Sequence, residues 1–163
     1  MNYMSKFILI KETDPNSTDA VHMIDELSDS LQTTTGNNGK NSFSVDDVCV
    51  PRSLFVLAFN DKDEAVGCGA IRPLNEQTAE VKRMYAKEKA AGIGTKVLTY
   101  LESKALEFGY TCLRLETRLI NLSAVEFYRN RGYHQIPNYG KYVNRLEAIC
   151  FEKQLCDDKE RTQ

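Results

Sequence analysis

A short glycine-containing loop between a predicted strand and a predicted helix is the part of the sequence best suited to chemistry. Gly92, Ile93 and Gly94 open an apolar helical repeat, and Lys87 and Lys89 stand shortly before them. The first turn of a helix presents unpaired backbone N–H groups and the positive end of the helix dipole. Glycine lets a phosphate approach that backbone closely. The segment therefore predicts a pyrophosphate-binding loop.

The same residues argue against two nucleotide-binding motifs. A dinucleotide-binding fingerprint requires a third glycine where this chain has Val97. A Walker A loop requires glycine, lysine and then serine or threonine, whereas the order here is Gly94, Thr95, Lys96. On the glycine spacing alone, a phosphate site and a merely tight strand-to-helix turn remain equally open.

The elements around this loop predict a mixed α/β (α+β) domain in the order β-α-βββ-α-β-α-ββ. Three helices are predicted, at 17–31, at 92–108 and from about Asn121 to 132. The predicted strands are Phe7–Ile10, Leu54–Phe59, Ala65–Ile71, Thr78–Ala86, Cys112–Thr117, Tyr133–Ile136 and Ala148–Lys153. Ser123 and Glu126 fit a capping box at the start of the third helix, and Asn121 can also cap this helix. The polar stretch Thr33–Ser42 is predicted to be a flexible loop.

Charge, cysteines and histidines exclude several other classes of protein. The formal net charge is -2 and no apolar run approaches the ~20 residues of a bilayer span, which disfavours nucleic-acid and membrane partners. The first ten residues fit a strand better than a signal peptide, so we expect a cytoplasmic protein. Five cysteines without CxxC spacing, and two histidines in ordinary structural patterns, argue against a disulfide framework, a metal site and a Ser-His or Cys-His hydrolase.

Several motifs in fixed order give the stretch from Leu54 to Leu155 a likeness to a known family. They are Val66–Ile71, Ala79–Ala86, Gly92–Gly94, Gly109-Tyr110, Leu115–Thr117, Asn121 with Ala124, Phe127-Tyr128, Arg131–Tyr133, Ile136–Tyr142 and Cys150–Lys153. Taken together, this stretch resembles the GNAT superfamily of acetyl-CoA-dependent N-acetyltransferases. The resemblance implies a mostly antiparallel central sheet of about seven strands flanked by helices. It also implies one domain over 1–155, followed by a short polar tail at 156–163.

The resemblance places acetyl-CoA where the strand before the glycine loop splays from the next strand. It implies backbone bonds from this strand to the pantetheine arm and the thioester. The cofactor-binding residues carried over in this way are Met84, Tyr85, Ala86, Lys87, Lys89, Ala91, Gly92, Ile93, Gly94, Thr95, Asn121 and Tyr128. One departure is Lys89, which occupies the place of the family's usual arginine or glutamine in a loop about two residues shorter than usual.

Two side chains are expected to move protons. By resemblance, Tyr128 is the general acid that protonates the departing thiolate, and Glu80 is a general base that acts through water. Phe127 and Tyr128 are consecutive and point about 100° apart on a helix. We therefore expect Phe127 in the core and Tyr128 in the cleft. The alternative for Glu80 is a strand residue that is paired with another side chain or exposed to solvent.

Two further segments leave their roles open. Lys82 and Arg83 are predicted to form a charged outer face rather than a phosphate contact. The segment from Tyr139 to Tyr142 either lines the acceptor pocket or is a loop with aromatic anchors.

The expected activity is transfer of the acetyl group to a primary amine by direct attack in a ternary complex, with a small-molecule acceptor. The alternatives are a protein or peptide N-acetyltransferase, a non-catalytic acyl-CoA-binding domain and a nucleotide-binding module. An exposed edge strand is compatible with a homodimer.

Overall fold

A single mixed sheet organises the protein. The computed structural model describes residues 7–39, 43–88 and 92–156, and within them seven strands form one sheet in the order β1-β2-β3-β4-β5-β7-β6. The strands are β1 Leu9–Glu12, β2 Leu54–Phe59, β3 Ala65–Pro73, β4 Thr78–Ala86, β5 Cys112–Arg118, β6 His134–Ile136 and β7 Ala148–Gln154. Only the β4–β5 pair is parallel, and the other neighbours are antiparallel. The predicted fold class is thus confirmed.

Helices cover both faces of the sheet. The described residues form three α-helices, which are α1 Thr18–Thr35, α2 Ile93–Glu107 and α3 Leu122–Asn130. Short 3₁₀ turns lie at Val45–Val48 and Gly140–Tyr142. None of the described helices is long and apolar enough to cross a membrane.

Burial on both faces explains the strongly apolar central strands. All six residues of β2 are buried. On one face, α1 packs through Met23 against Phe55 and Leu57. On the other face, α2 and α3 cover a larger core that includes Val97 and Leu101 of α2. Two-sided burial removes apolar side chains from water on each face, which accounts for a continuous apolar run instead of alternation.

Two helix ends differ from the sequence-based expectation. Helix α1 runs past Leu31 to Thr35 and ends at Gly36, whose φ of 77° places it in the left-handed region. The glycine N–H bonds the carbonyl of Gln32 at 3.0 Å and so satisfies the helix end. The first three residues of the predicted loop Thr33–Ser42 are therefore helical, and residues 40–42 lie outside the described chain.

The predicted capping box of α3 is wrong. The N-cap is Asn121, whose side chain accepts a hydrogen bond from the Ala124 N–H at 3.4 Å. Ser123 consequently lies inside the first turn, where it cannot act as the cap. Asparagine is among the preferred N-cap residues, and it competed successfully with the serine two positions later.

The chain ends follow the sheet register rather than the local apolar pattern. Strand β1 is Leu9–Glu12 instead of the predicted Phe7–Ile10, because Leu9 pairs with Phe59 and Glu12 with Val56 across β2. At the other end, Cys156 is described but the rest of the predicted tail, 157–163, lies outside the described residues.

Candidate active site

The parallel strands β4 and β5 separate shortly after they begin. They pair at Thr78–Cys112, Ala79–Leu113 and Glu80–Arg114, and the described residues 81–86 and 115–118 form no further pair with each other. Strand β5 stays paired with β7 along its whole length, so the opening lies between β4 and β5. Peptide groups on the facing edge of β4 are thereby left for another partner.

A β-bulge in β4 accompanies this separation. Cys68 pairs with Tyr85 but Ala70 pairs with Lys82, so Arg83 and the residue after it oppose the single Gly69. Arg83 has a φ of 56°, in the left-handed region. A bulge adds local twist and bends the strand, which fits the departure of β4 from β5.

A cleft occupies the gap between the two strands. It is lined by residues 81–84 of β4 and 115–118 of β5. On one side it is bounded by the second half of α1 and the turn after it, and on the other by Asn121, Ala124 and Tyr128 at α3. The cleft thus brings together the bulge, the free strand edge and one helix from each face of the sheet.

Tyr128 contributes both to the core and to the cleft. Only 8% of its surface is exposed, and its ring makes edge contacts with Phe127 and Tyr133 at centroid distances of 5.1 and 5.6 Å. Burial raises its pKa above the usual tyrosine value, which keeps the phenol protonated at neutral pH. The expectation that Phe127 lies in the core and Tyr128 in the cleft is therefore half wrong. Phe127 is partly buried, and Tyr128 is the more buried of the two.

Glu116 on β5 lines the same cleft. Its Oε2 atom is buried and has no hydrogen-bond partner in the described chain. Among the described residues, Arg118 forms an ion pair with it, with Nε at 4.0 Å from Oε2, beyond hydrogen-bond distance. Desolvation raises the pKa of the Glu116 carboxyl, although the charges of Arg118 and Lys82 oppose that shift. An acidic side chain with a raised pKa and a free oxygen in a cleft is suited to accept a proton.

Glu80 lies beside the cleft, in a network of hydrogen bonds and ion pairs that uses both of its carboxylate oxygens. Its surface is 1% exposed, and Oε1 accepts from Arg72 Nε at 2.9 Å. Its second oxygen accepts from the Tyr139 hydroxyl at 2.5 Å. Arg72 also pairs with Asp47 at 2.5 Å. The structure therefore gives Glu80 the surroundings of the paired strand residue that was the alternative to a base.

The segment from Tyr139 to Tyr142 anchors this network. The Tyr142 hydroxyl accepts a hydrogen bond from Lys82 Nζ at 3.0 Å, and the two tyrosine rings meet edge to face at 5.5 Å. Neither tyrosine is among the residues that line the cleft. Of the two interpretations left open by the sequence, the aromatic anchor fits these contacts.

Lys82 and Arg83 are buried, so the predicted charged outer face is wrong. They are 8% and 7% exposed, respectively, and both line the cleft. Burial lowers the pKa of Lys82 to about 8. Adjacent residues of a regular strand point to opposite faces of the sheet. Here the bulge turns both side chains towards α1 and the loops, so the sequence pattern could not reveal that both cations are buried.

The first turn of α2 is open at its N-terminus. Gly92 is the N-cap with a φ of 72°. Among the described residues, no side chain caps the helix and nothing lies within 4 Å of where a Cβ at Gly92 would stand. Thr95 in the first turn accepts a hydrogen bond from Arg131 Nε at 2.8 Å. Backbone donors, open space and a guanidinium therefore meet at one place, which suits an anion.

The other predicted cofactor contacts differ in how far they reach the cleft. Met84 lines it, whereas Ile93 is buried in the core and its side chain is unavailable. Lys87 pairs with Glu26 of α1 at 3.2 Å.

The remaining predicted contacts are Tyr85, Ala86, Lys89, Ala91 and Gly94. Tyr85 packs on the α1 face, and Ala86 pairs with Gly67 of β3. Lys89 and Ala91 lie outside the described residues. Gly94 sits with Phe127 close by, since a Cβ at Gly94 would lie 3.2 Å from that ring.

Comparison with known proteins decides the family. A model described as the acetyltransferase (GNAT) family matches residues 20–133, which is 114 of the 163 residues. The chain belongs to this family. Membership makes it an acyltransferase with acetyl-CoA as the cosubstrate, as the sequence motifs indicated.

Individual GNAT proteins match nearly the whole chain. An IAA acetyltransferase of Azospirillum brasilense is 28% identical over 151 residues, covering 91% of this chain and 98% of the relative. A Klebsiella pneumoniae structure classed as an acyl-CoA N-acyltransferase superposes with a TM-score of 0.78 at 26% identity, covering 93% of this chain and 100% of the other. A GNAT acetyltransferase of Elizabethkingia anophelis, solved with acetyl-CoA bound, has the same fold with a TM-score of 0.66 at 18% identity over 91% of this chain and 98% of the other.

Two residues of this GNAT site had no assigned role in the sequence analysis. Glu116 stood in the quoted motif Leu115–Thr117, and alternation with Leu113 and Leu115 could have shown that it faces away from the apolar core. Arg131 stood in the motif before Tyr133. Nothing in the spacing indicated that its guanidinium reaches Thr95, since the contact depends on how α3 crosses α2.

Proposed function

We propose that this protein transfers the acetyl group of acetyl-CoA to a primary amine of a small molecule, by direct attack in a ternary complex within the cleft. The observation that carries the proposal is the separation of β4 from β5, with Tyr128 and Glu116 both lining the resulting gap. A free strand edge, a proton donor and a proton acceptor are what amide formation from a thioester requires.

The free edge of β4 holds the pantetheine arm in this proposal. Residues 81–86 offer peptide groups that β5 does not use, and they can bond the two amides of the arm. The backbone N–H at Met84 or Tyr85 faces the thioester oxygen and stabilises the negative charge that develops there. Asn121 stays primarily the cap of α3 and borders the same cleft.

The pyrophosphate belongs at the first turn of α2. Gly92, Ile93, Gly94 and Thr95 provide the backbone there, and Gly92 leaves its approach open. Arg131 adds a guanidinium bound to Thr95. This cation offsets the substitution of lysine for the family's arginine or glutamine at position 89, because guanidinium groups bind phosphate oxygens in a bidentate manner.

Proton transfer is divided between the two walls of the cleft. Glu116 takes a proton from the amine as its nitrogen attacks the thioester carbon, and the C–S bond then breaks. The departing thiolate is met by the Tyr128 hydroxyl. Because burial raises the pKa of Tyr128, a hydrogen bond to the sulfur contributes more than complete proton transfer does.

Glu80 is proposed as a positioning residue. Its carboxylate ties Arg72 of β3 to Tyr139 of the loop before β7, and it thereby holds that loop against the sheet. The base role implied by the family resemblance would require these bonds to open, whereas Oε2 of Glu116 accepts no hydrogen bond from the described residues.

The place proposed for a small acceptor is the side of the cleft next to α1. The C-terminal half of α1, through Leu27, Leu31 and Thr35, and then Asn37 and Gly39, borders the acceptor side. A non-catalytic acyl-CoA-binding domain would gain nothing from a buried carboxylate oxygen that lacks a hydrogen-bond donor, an arrangement that costs stability.

A matched pair of substitutions at Gly92 tests the cofactor site. We expect Gly92→Asp to weaken acetyl-CoA binding by about 10- to 100-fold relative to Gly92→Asn, because only the aspartate puts a negative charge at the phosphate site. Both residues tolerate a positive φ, and the position has room for either side chain. Isothermal titration calorimetry with acetyl-CoA, with ATP as a control ligand, measures the difference.

Equal affinity of the two Gly92 variants for acetyl-CoA would contradict the assignment of the phosphate site. Absence of acetyl-CoA binding by the unmodified protein would refute the proposed reaction as a whole.

A further inference from the structure

Two buried groups of opposite charge in the cleft lack hydrogen-bond partners among the described residues. The first is Oε2 of Glu116, which accepts no hydrogen bond from them. The second is Arg83, which is 7% exposed and whose buried Nε donates to none of them. Its Nη1 donates to the Asn38 carbonyl at 3.3 Å, and no carboxylate of the described residues pairs with it.

A buried guanidinium without an anionic partner lowers the stability of a folded protein. Desolvation lowers the pKa of Arg83, and among the described residues the buried Cys68 thiol opposes that shift. Its ring neighbour Phe43, 5.2 Å from the guanidinium carbon, supplies a weak cation–π contact. Since buried charges are normally paired, the absence of a carboxylate partner indicates that a ligand supplies the anion.

The remaining cations of the cleft already have partners. Arg118 pairs with Glu147 at 3.1 Å, and Lys82 donates to Tyr142 at 3.0 Å. Arg83 is therefore the cation that an anionic group would meet most favourably.

Arg83 lines the cleft together with Gly39 and Leu31. A Cβ at Gly39 would lie 3.2 Å from the Arg83 Nη1 and 3.1 Å from Leu31 Cδ1, so a larger residue at this position would press on both groups. Leu27, one helical turn earlier on the same face of α1, extends the apolar surface of the cleft.

We propose that the acceptor is a small amino carboxylate with an apolar side chain, such as an apolar amino acid. Its amine lies at Glu116, its carboxylate at Arg83 and its side chain against Leu27 and Leu31. This substrate class rests on the proposed acetyl transfer and specifies it. Polycationic acceptors are disfavoured, because Lys82 and Arg83 would repel them inside a cleft that has little water to screen the charges.

A panel of matched acceptors tests the substrate class. Leucine, methionine and phenylalanine are each compared with their carboxamide and with the amine that lacks the carboxyl group, and N-acetylated product is measured by mass spectrometry. We expect the amino acid to exceed its carboxamide in kcat/KM by about 10- to 100-fold, the usual effect of one charge-assisted hydrogen-bonded pair. Most of the difference should appear in KM.

Two variants of Arg83 assign that preference to the guanidinium. Arg83→Met keeps the length of the side chain without its charge, and we expect the ratio of amino acid to carboxamide to fall to near one. Arg83→Lys should restore part of the ratio, since a point charge remains. Titration calorimetry with acetyl-CoA on each variant shows whether the fold and the cofactor site are intact.

Several results would overturn the substrate class. They are a preference of the unmodified protein for carboxamides or carboxyl-free amines, an unchanged ratio in Arg83→Met, or no acetylation of any amino acid by a protein that binds acetyl-CoA. A protein that does not bind acetyl-CoA at all would instead refute the underlying transfer reaction.

Discussion

Replacement of Glu116 by glutamine is expected to lower kcat/KM for amine acetylation by about 100- to 1,000-fold, within the range that general-base catalysis contributes. Glutamine has nearly the same size and shape, but it cannot accept the amine proton. The effect is measured from initial rates of thiol release from acetyl-CoA over a range of acceptor concentrations, together with calorimetric affinity for acetyl-CoA, which should be unchanged.

The pH dependence gives this prediction a second readout. Because desolvation raises the pKa of Glu116, the rate of the unmodified protein should rise with pH through a pKa above the ordinary glutamate value. Glu116→Gln should lose that acidic limb. A raised pKa also means that ionised Glu116 costs stability, a cost that is absent below the unfolded-state pKa and grows as pH rises through the folded-state pKa. The glutamine variant should therefore be no less stable at neutral pH.

Glu80→Gln is the matched control. It also removes one buried carboxylate, but it breaks the ion pair with Arg72 and leaves that cation with Asp47 alone. We expect a lower melting temperature with an acidic limb still present in the pH profile, because Glu116 remains. Loss of the limb in Glu80→Gln and its retention in Glu116→Gln would exchange the two roles.

Removal of the Tyr128 hydroxyl is expected to lower kcat by about 10- to 100-fold, the effect of losing one hydrogen bond to a charged group in the transition state. Tyr128→Phe keeps the edge contacts of the ring with Phe127 and Tyr133. The thiolate then leaves without a donor. KM for acetyl-CoA should change little, since the hydrogen bond forms mainly as the C–S bond breaks.

Tyr133→Phe is a suitable control for Tyr128→Phe. Tyr133 is equally buried, but its hydroxyl donates to Glu102 at 2.9 Å and it does not line the cleft. We expect reduced stability with little change in kcat. A Tyr128→Phe variant that keeps full kcat would show that the tyrosine serves the core alone.

Much of the architecture followed from local patterns in the sequence. The bounds of Leu54–Phe59 and Thr78–Ala86 were correct at both ends, because continuous apolar runs between turn residues leave few other structures open. Helix α2 began where Gly92 and Gly94 indicated it. Of the two caps that the sequence offered for α3, Asn121 was correct and the capping box of Ser123 was wrong.

The chemistry of the site was less accessible to sequence analysis. The partners of Glu80 come from β3 and from the loop before β7, 8 and 59 residues away. Burial of Arg83 depends on the bulge, whose presence is a matter of strand register. Whether an oxygen of Glu116 has a partner depends on the separation of β4 from β5. These properties arise from long-range pairing, which residue types and spacing do not encode.

The central claim is that the gap between β4 and β5 binds acetyl-CoA, with the phosphates at α2 and the thioester beside Met84. Titration of the ¹⁵N-labelled protein with acetyl-CoA, followed by amide chemical shifts, tests it most directly. The account predicts saturable shifts concentrated at residues 81–86, at 92–95 and at the start of α3, with β1 and β2 nearly unaffected. Saturable shifts confined to other surfaces, or no shifts at millimolar acetyl-CoA, would contradict it.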